Sequence, residues 1–544
     1  MSFRWLLFAL TTMLLVSPVA EAAGADTGPA HSTEAESSSG DGSAPEDSPD
    51  KDSRHEDSEH QNETEHSAHE GDASHDDDHA SNEDGSKHED SHDEGHGEEH
   101  GKGHGKKHSS RLTDEKIPLQ TEGFPQRPKP ILELGEPFLG TGTLSSGIRL
   151  PTGAVWQPSL LAFGTFRTAI QTFEPDNSDG SRITEWTNRL DLFLNLQLSG
   201  SERLVVGVRA LDEDGRFTSY FFENPDESLE GTFQDSFDAQ IEALYFEGDF
   251  GEIFPDLDRD DFGSTDVGFS VGRQPMLFQE GMLIDDTLDG IGFTRNTLLP
   301  RNTSNFRLTF FYGWDNININ NAERRSANLW ALLSSTDFRK STIDFDVAYL
   351  QTHDDTGDLV TGGISAVQRI GKTNSAFRIL GSVATDEETT ASTDGILLFS
   401  ELSWTPHYTY DHVYLTTFAA FDEFTPAARG AGPAESGPLG RAGINFAAVG
   451  IGSFGAPLSG RARDVVGGAF GYQRFFNKTR QQLIVELGAR VGIDDQISDS
   501  YAATARYQTA VGRRLVVITD GFVGYDEATD RVPFGGRLEL LLKF

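Results

Sequence analysis

The 544-residue sequence contains no cysteine. Disulfides, a lipid anchor on a thiol and thiolate metal sites are therefore excluded. Long apolar runs are also missing. The one near the start, residues 5–16, is too short to cross a bilayer as a helix, which takes about 20 residues. Basic residues are few. There are 44 Lys and Arg against 87 Asp and Glu, a formal charge of −43. Nucleic acid needs a basic footprint, so it is not an expected partner. Mean hydropathy is −0.44. That value does not argue against a membrane protein made of strands, because lipid-facing and water-facing residues alternate and average out.

What is present divides into two parts with different physics. Arg4, the apolar residues after it and Ala20-Glu21-Ala22 read as a secretory signal over 1–22, cleaved before Ala23. Residues 23–115 are Ser, Gly, Asp, Glu and His with almost no large apolar side chain. From 24 to 115 there are 28 acids and 7 bases. Such a segment cannot offset its ordering entropy, and disorder is expected. Residues 116–157, rich in Pro and Gly, read as a linker or cap that tucks towards the following domain.

Thirteen of the 16 histidines lie between His31 and His108. Six of them, His88, His92, His96, His100, His104 and His108, repeat every four residues. Neutral imidazole is a good ligand for Zn²⁺, Cu²⁺ and Ni²⁺, and the interleaved carboxylates concentrate cations. Weak, multi-site binding of divalent metal is expected there, with release below about pH 6 as imidazole protonates. The plainer alternative is a solvated spacer. No cofactor is required by the rest of the chain.

From about 158 to 544 the chain alternates. Leu190, Leu192, Leu194, Leu196 and Leu198 share one face, and Arg189, Asp191, Phe193, Asn195 and Gln197 the other. Leu204, Val206 and Val208 oppose Arg203 and Arg209. Phe237, Ala239, Ile241 and Ala243 oppose Asp238 and Glu242. Phe306, Leu308 and Phe310 oppose Arg307. Ile343, Phe345 and Val347 oppose Asp344 and Asp346. Leu483, Val485 and Leu487 oppose Glu486 and Arg490. Period-2 patterning of this kind, carried on without helices, predicts an all-β fold: a single-chain transmembrane antiparallel β-barrel of about eighteen strands, apolar outside and water-filled within. Short connections (199–201, 371–374, 477–479, 512–513) alternate with longer, acidic ones (174–182, 212–235, 351–358, 386–394). That is the asymmetry of periplasmic turns and outer loops.

The chain ends in one more such strand. Leu538, Leu540, Leu542 and Phe544 oppose Arg537, Glu539 and Lys543. A terminal aromatic here resembles the assembly signal of bacterial outer-membrane barrels. The resemblance implies outer-membrane lipid, lipopolysaccharide and the assembly machinery as partners. An even strand count would leave both termini, and the His-rich tail, in the periplasm.

The stretch from Val271 to Ile291, with Gly272-Arg273-Gln274 and Asp289-Gly290, resembles the pattern of alginate-export-type outer-membrane porins. The match covers the barrel part only. It implies a channel, places Arg273, Gln274, Asp289 and Gly290 at the matching positions, and brings an anionic polymer in beside small solutes as cargo. The mixture of Arg with Asp and Glu on the inward faces departs from that pattern, as does the tail. By alternation Arg273 shares the outward face of Val267, Phe269 and Val271, and a bulge at Gly272 is expected to turn it inward.

The long connection 422–464, Gly-rich and apolar after 447, is expected to fold into the lumen. The expected function is passive passage of solutes, with a tail that catches divalent metal for a pore that passes metal or metal complexes. An adhesin or structural barrel with cation-binding acidic loops is the alternative. An enzyme is not expected: the segment is read as lacking a serine-nucleophile elbow, and its only histidines are His353, His407 and His412. Residues 116–157 are too few for the plug domain of a TonB-dependent receptor.

Overall fold

The computed structural model describes residues 129–135 and 146–544, apart from 176–179, 214, 258–262, 264, 316, 320–325, 354–356, 386–388, 390, 431–436, 478 and 495. The signal, the His-rich tail and most of the linker lie outside the described residues.

Alternating residues build strands because successive side chains point to opposite faces. Eighteen strands form a sheet that closes on itself. They are β1 Ser159–Phe173, β2 Ile183–Gln197, β3 (Arg203–Arg209, continued by Arg216–Glu223), β4 (Phe233–Gln234, continued by Gln240–Asp249), β5 Gly268–Phe278 and β6 Ile284–Leu298. Then follow β7 Thr303–Trp314, β8 Ala327–Phe338, β9 Ser341–Thr352, β10 Leu359–Ile370, β11 Thr373–Ala384 and β12 Gly395–Trp404. The last are β13 His412–Glu423, β14 Arg463–Phe476, β15 Gln481–Gly492, β16 Ser500–Val511, β17 Leu515–Asp526 and β18 Phe534–Lys543. Neighbours are antiparallel, and β18 closes on β1 from Gly535↔Phe173 to Lys543↔Thr165. Closure leaves no sheet edge along the seam.

Outward side chains are apolar and exposed: Ile170 is 57 % accessible and Leu487 59 %, whereas the inward Glu486 is buried. β1 is longer than β18. Its surplus, Ser159–Ala162, pairs with the short strand Leu132–Gly135. That segment continues the line of β18 at the short-turn end, where Arg514 also donates to the Lys129 carbonyl at 3.1 Å.

Four expectations are corrected. Residues 212–235 are not one loop, since Arg216–Glu223 rejoins the wall against β2. Asp238 is exposed and belongs to no strand. Ala243 faces inward and Leu244 outward, because the ladder between β3 and β4 slips between Ile241 and Ala243 and leaves Glu242 as the extra residue of a bulge. There is no bulge at Gly272. The ladder runs unbroken through it on both sides. Instead Gly272 has φ +123°, and a Cβ there would lie 2.2 Å from the Leu244 carbonyl oxygen. Only glycine fits both conditions.

Beyond that glycine the β5–β6 hairpin leaves the wall. β4 stops pairing at Arg273, and β7 stops at Gly290. The hairpin tip pairs with itself, and Ile284–Asp285 pairs in parallel with Ala428–Arg429 of the long connection after β13. That connection folds inward, as expected from its apolar composition. Phe446, Ile451 and Leu458 are fully or almost fully buried. The lumen is not wet throughout. Inward residues of β7–β14, such as Phe311, Leu350 and Phe399, join Met282, Leu283, Ile319 and Phe446 in one dry core. Residues apolar on both faces of a strand need cover on both.

Candidate functional site

The opposite wall of the lumen is charged. Inward positions of β16, β17, β18, β1, β2, β3 and β4 carry Arg506, Asp520, Arg537, Glu539, Arg167, Arg189, Asp191, Arg209 and Glu242, joined by Asp212 just after the first piece of β3. The two signs alternate along a chain of contacts. Arg506 Nε lies 2.8 Å from Asp520, and Asp520 also pairs with Arg537. Arg537 pairs with Glu539, which accepts from Arg167 Nε at 2.6 Å. On β2 and β3, Asp191 accepts from Arg189 at 2.9 Å and from Arg209 at 3.2 Å. Arg209 further reaches Asp212 at 3.1 Å and Glu242 at 3.2 Å. Asp520, Arg537, Glu539 and Asp212 are buried, while Arg167, Arg189, Arg209 and Glu242 keep about a fifth of their side-chain surface open.

The inward connection leans on this arc. Arg167 donates to the carbonyls of Val449 (2.9 Å) and Gly450 (3.2 Å), and Arg189 donates to Gly450 (2.8 Å). Phe454 packs between Phe173 and Phe522, beside the Arg537 guanidinium. Ser453 N donates to Glu185 at 2.7 Å. On the far side, Glu486 accepts from the backbone of Ile444 (3.0 Å) and Asn445 (2.7 Å) and from the Tyr414 hydroxyl. Gly443 passes so close to Glu486 that a Cβ would sit 2.5 Å from its carboxylate. Arg441 of the connection and Arg378 of β11 share Glu280 of the hairpin tip and Glu401 of β12. The connection thus touches the wall on both sides of the lumen and narrows it.

Of the residues expected to line the lumen, Arg189, Asp191, Arg209, Glu242, Arg537 and Glu539 come together in this arc. Arg203 lies nearer the short-turn end and pairs with Glu247. Arg307 is exposed on the inward face of β7, and Asp344 accepts from Ser365 at 2.9 Å. Asp346 is buried and accepts from Gln279 of the hairpin tip at 2.7 Å. Glu486 anchors the connection, and Arg490 is buried four residues along the same strand. Arg273 and Asp289 form a pair at 2.7 Å where the hairpin leaves the wall, on the face of Val271 rather than turned by a bulge. Asp238 does not line the lumen wall. Arg167, Asp520, Arg506, Arg378 and Glu185 were missed, although the parity of β1, with Phe166 and Ile170 against Arg167 and Gln171, carries the signal. The histidines from His88 to His108 lie outside the described residues.

The residues Gly268-Phe269-Ser270-Val271-Gly272 do have the spacing of a nucleophile elbow, contrary to the expectation. Ser270, however, sits mid-ladder between Glu247 and Gly292, not at a strand-to-helix turn. The barrel histidines contact Asn328, Lys372 and Thr405.

At the short-turn end, Asp411 accepts from the Tyr472 hydroxyl at 2.6 Å and from Phe475 N at 3.0 Å. The hydroxyl first, and then the amide, hold its carboxyl below the ordinary value. A depressed folded value stabilises the fold above the ordinary carboxylate range, and that stabilisation is lost as pH falls through the folded value. Asp411→Asn is therefore expected to lower the urea midpoint at pH 7, and the deficit should shrink below about pH 4. A deficit independent of pH would contradict this.

No protein-family model and no curated protein matches the sequence. Among solved structures the chain is similar to a BenF-like porin from Pseudomonas fluorescens Pf-5, with TM-score 0.50 and 9 % identity over 71 % of this chain and 98 % of that one. It is also similar to Pseudomonas aeruginosa OccK2 (OpdF), with TM-score 0.49 and 11 % identity over 71 % and 98 %. Pseudomonas aeruginosa OccK9 (OpdG) gives TM-score 0.49 and 10 % identity over the same shares. The resemblance to alginate-export porins finds no support among these matches. The likeness is one of fold, a closed eighteen-strand barrel of porin type.

Proposed function

We propose that the chain is an outer-membrane channel of porin type for small solutes, narrowed by the connection between β13 and β14. The observation that carries this reading is a closed barrel whose exposed apolar exterior suits hydrocarbon and whose inner wall is charged. The similarity to the BenF-like porin supports the same class. Small solutes suit the inward connection better than an extended anionic polymer. Such a polymer would have to displace residues 443–454 and slide past the partly open carboxylate of Glu242. Swelling of liposomes in a small neutral sugar tests the reading. Swelling above that of empty liposomes is expected; none from a correctly folded barrel would oppose it.

The tail is a metal-binding element on the periplasmic side. Support comes from the four-residue histidine repeat and from Leu132–Gly135, which docks at the end carrying the short turns. It delivers or buffers divalent metal at that mouth. Titrating the full chain with Zn²⁺ in a calorimeter at pH 7.5 should give multi-site heat that disappears near pH 5.5, since imidazole titrates near 6.5. Heat equal to that of a chain with the six repeat histidines changed to Ala would remove the idea.

A further inference from the structure

We propose that the charged arc selects small dipolar solutes, carrying one cationic and one anionic group, over solutes with a single charge. This rests on the channel reading above. The arc presents five guanidinium groups (Arg167, Arg189, Arg209, Arg506, Arg537) and five carboxylates (Asp191, Asp212, Glu242, Asp520, Glu539), and each touches a group of opposite sign. The buried half, around Arg537, fixes the geometry. The more open half, around Arg189, Arg209 and Glu242, encloses the buried Asp191, touches the segment 449–453 through Arg189 and is where a solute meets the wall.

An anion that binds Arg189 must draw it from Asp191 and leave that carboxylate short of a partner. A cation that binds Asp191 draws Arg189's carboxylate away from it and takes one of the three that meet Arg209. Removing one partner from a partly buried ion pair is the unfavourable case. A dipolar solute avoids it. Its anionic group replaces Asp191 on a guanidinium while its cationic group takes the released carboxylate. The carbonyl of Val449, which accepts from Arg167 alone, keeps a lone pair for an ammonium, whereas that of Gly450 already accepts twice. Both charges of the solute are met in one exchange.

The test is entry of taurine, ethanesulfonate and choline into proteoliposomes at pH 7, three solutes of similar size that are a zwitterion, an anion and a cation there. It is read at about 1 M salt, where screening over roughly 3 Å removes the field of the acidic mouths. Taurine should enter several-fold faster than either of the others, and the salt-gradient reversal potential should lie near zero. In Asp191→Asn, which removes the carboxylate of Arg189 and one of the three that meet Arg209, ethanesulfonate should gain several-fold and the reversal potential should move to the anion side. If that variant fails to fold, Glu242→Gln, at the more open end, should move both in the same direction. Ethanesulfonate or choline outrunning taurine in the parent chain would overturn the proposal, as would unchanged selectivity in the variants. Failure of all three solutes and of a neutral sugar would instead remove the channel reading.

Discussion

Replacing residues 430–460 with a short Gly-Ser turn between β13 and β14 should raise single-channel conductance several-fold. Residues 437–460 of that segment cross the lumen. They are held by Glu486 on one side and by Glu185, Arg167 and Arg189 on the other. Without them the passage is bounded by the barrel wall, the β5–β6 hairpin tip and the retained inward residues around Ile319 and Ala428. The excision also has a stability consequence. Phe446 stacks edge-on against Phe418 at 5.3 Å, and Leu439 and Leu458 complete the dry core against the wall. Each large apolar side chain withdrawn from such a core removes roughly 1.5–3 kcal/mol of burial. The trimmed barrel should therefore conduct more and denature in less urea. A milder change separates the two effects. Glu486→Ala removes the acceptor for two backbone amides and a tyrosine, each bond to a charged group contributing roughly 1.5–3 kcal/mol. It keeps the apolar cover, so flickering of the current should increase with little change in its mean. Unchanged conductance on excision would mean that the connection does not obstruct the passage.

The second large effect is expected at Arg537. Its guanidinium lies between Asp520 and Glu539, and all three side chains are almost fully buried. Arg537→Ala leaves two carboxylates in a low-dielectric site, each with a single remaining partner, Arg506 or Arg167. Removing one member of a buried ion network costs about 3–5 kcal/mol, because the charges left behind are uncompensated. A large fall in the urea midpoint in lipid vesicles is expected. Arg537→Lys should recover part of it, keeping the charge and losing the planar fork that meets two carboxylates. A triple change to apolar residues at 520, 537 and 539 should be less harmful than Arg537→Ala alone, since it leaves fewer buried charges. If the single change proved silent, the arc would be a hydrated surface rather than a structural network.

Most of the barrel was legible in the residues, and the reasons are local. In β2, β7, β9 and β15 the alternation is unbroken, so parity assigned Asp191, Arg307, Asp346 and Glu486 to the inner face. Parity failed where the backbone departs from an even ladder. The extra residue Glu242 reverses the faces of Ala243 and Leu244, and nothing in Gln240-Ile241-Glu242-Ala243 marks it. Gly272 was singled out, but its role is a bend that carries the hairpin out of the wall, not a bulge. The dry side of the lumen had a signal that period-2 reading overlooks. Leu329-Trp330-Ala331-Leu332-Leu333 is apolar on both faces, as in a strand covered on both sides. The partners of the charged arc were not legible, because register between β16 and β4 depends on closure of the whole sheet.

Single-channel recording of the full chain in a planar lipid bilayer, beside the chain with residues 430–460 excised, tests the central claim most directly. Discrete, voltage-linear steps are expected, small for the full chain and wider after excision. Silence from both, with the folded barrel verified by its heat-dependent electrophoretic shift, would contradict a water-filled passage through this barrel.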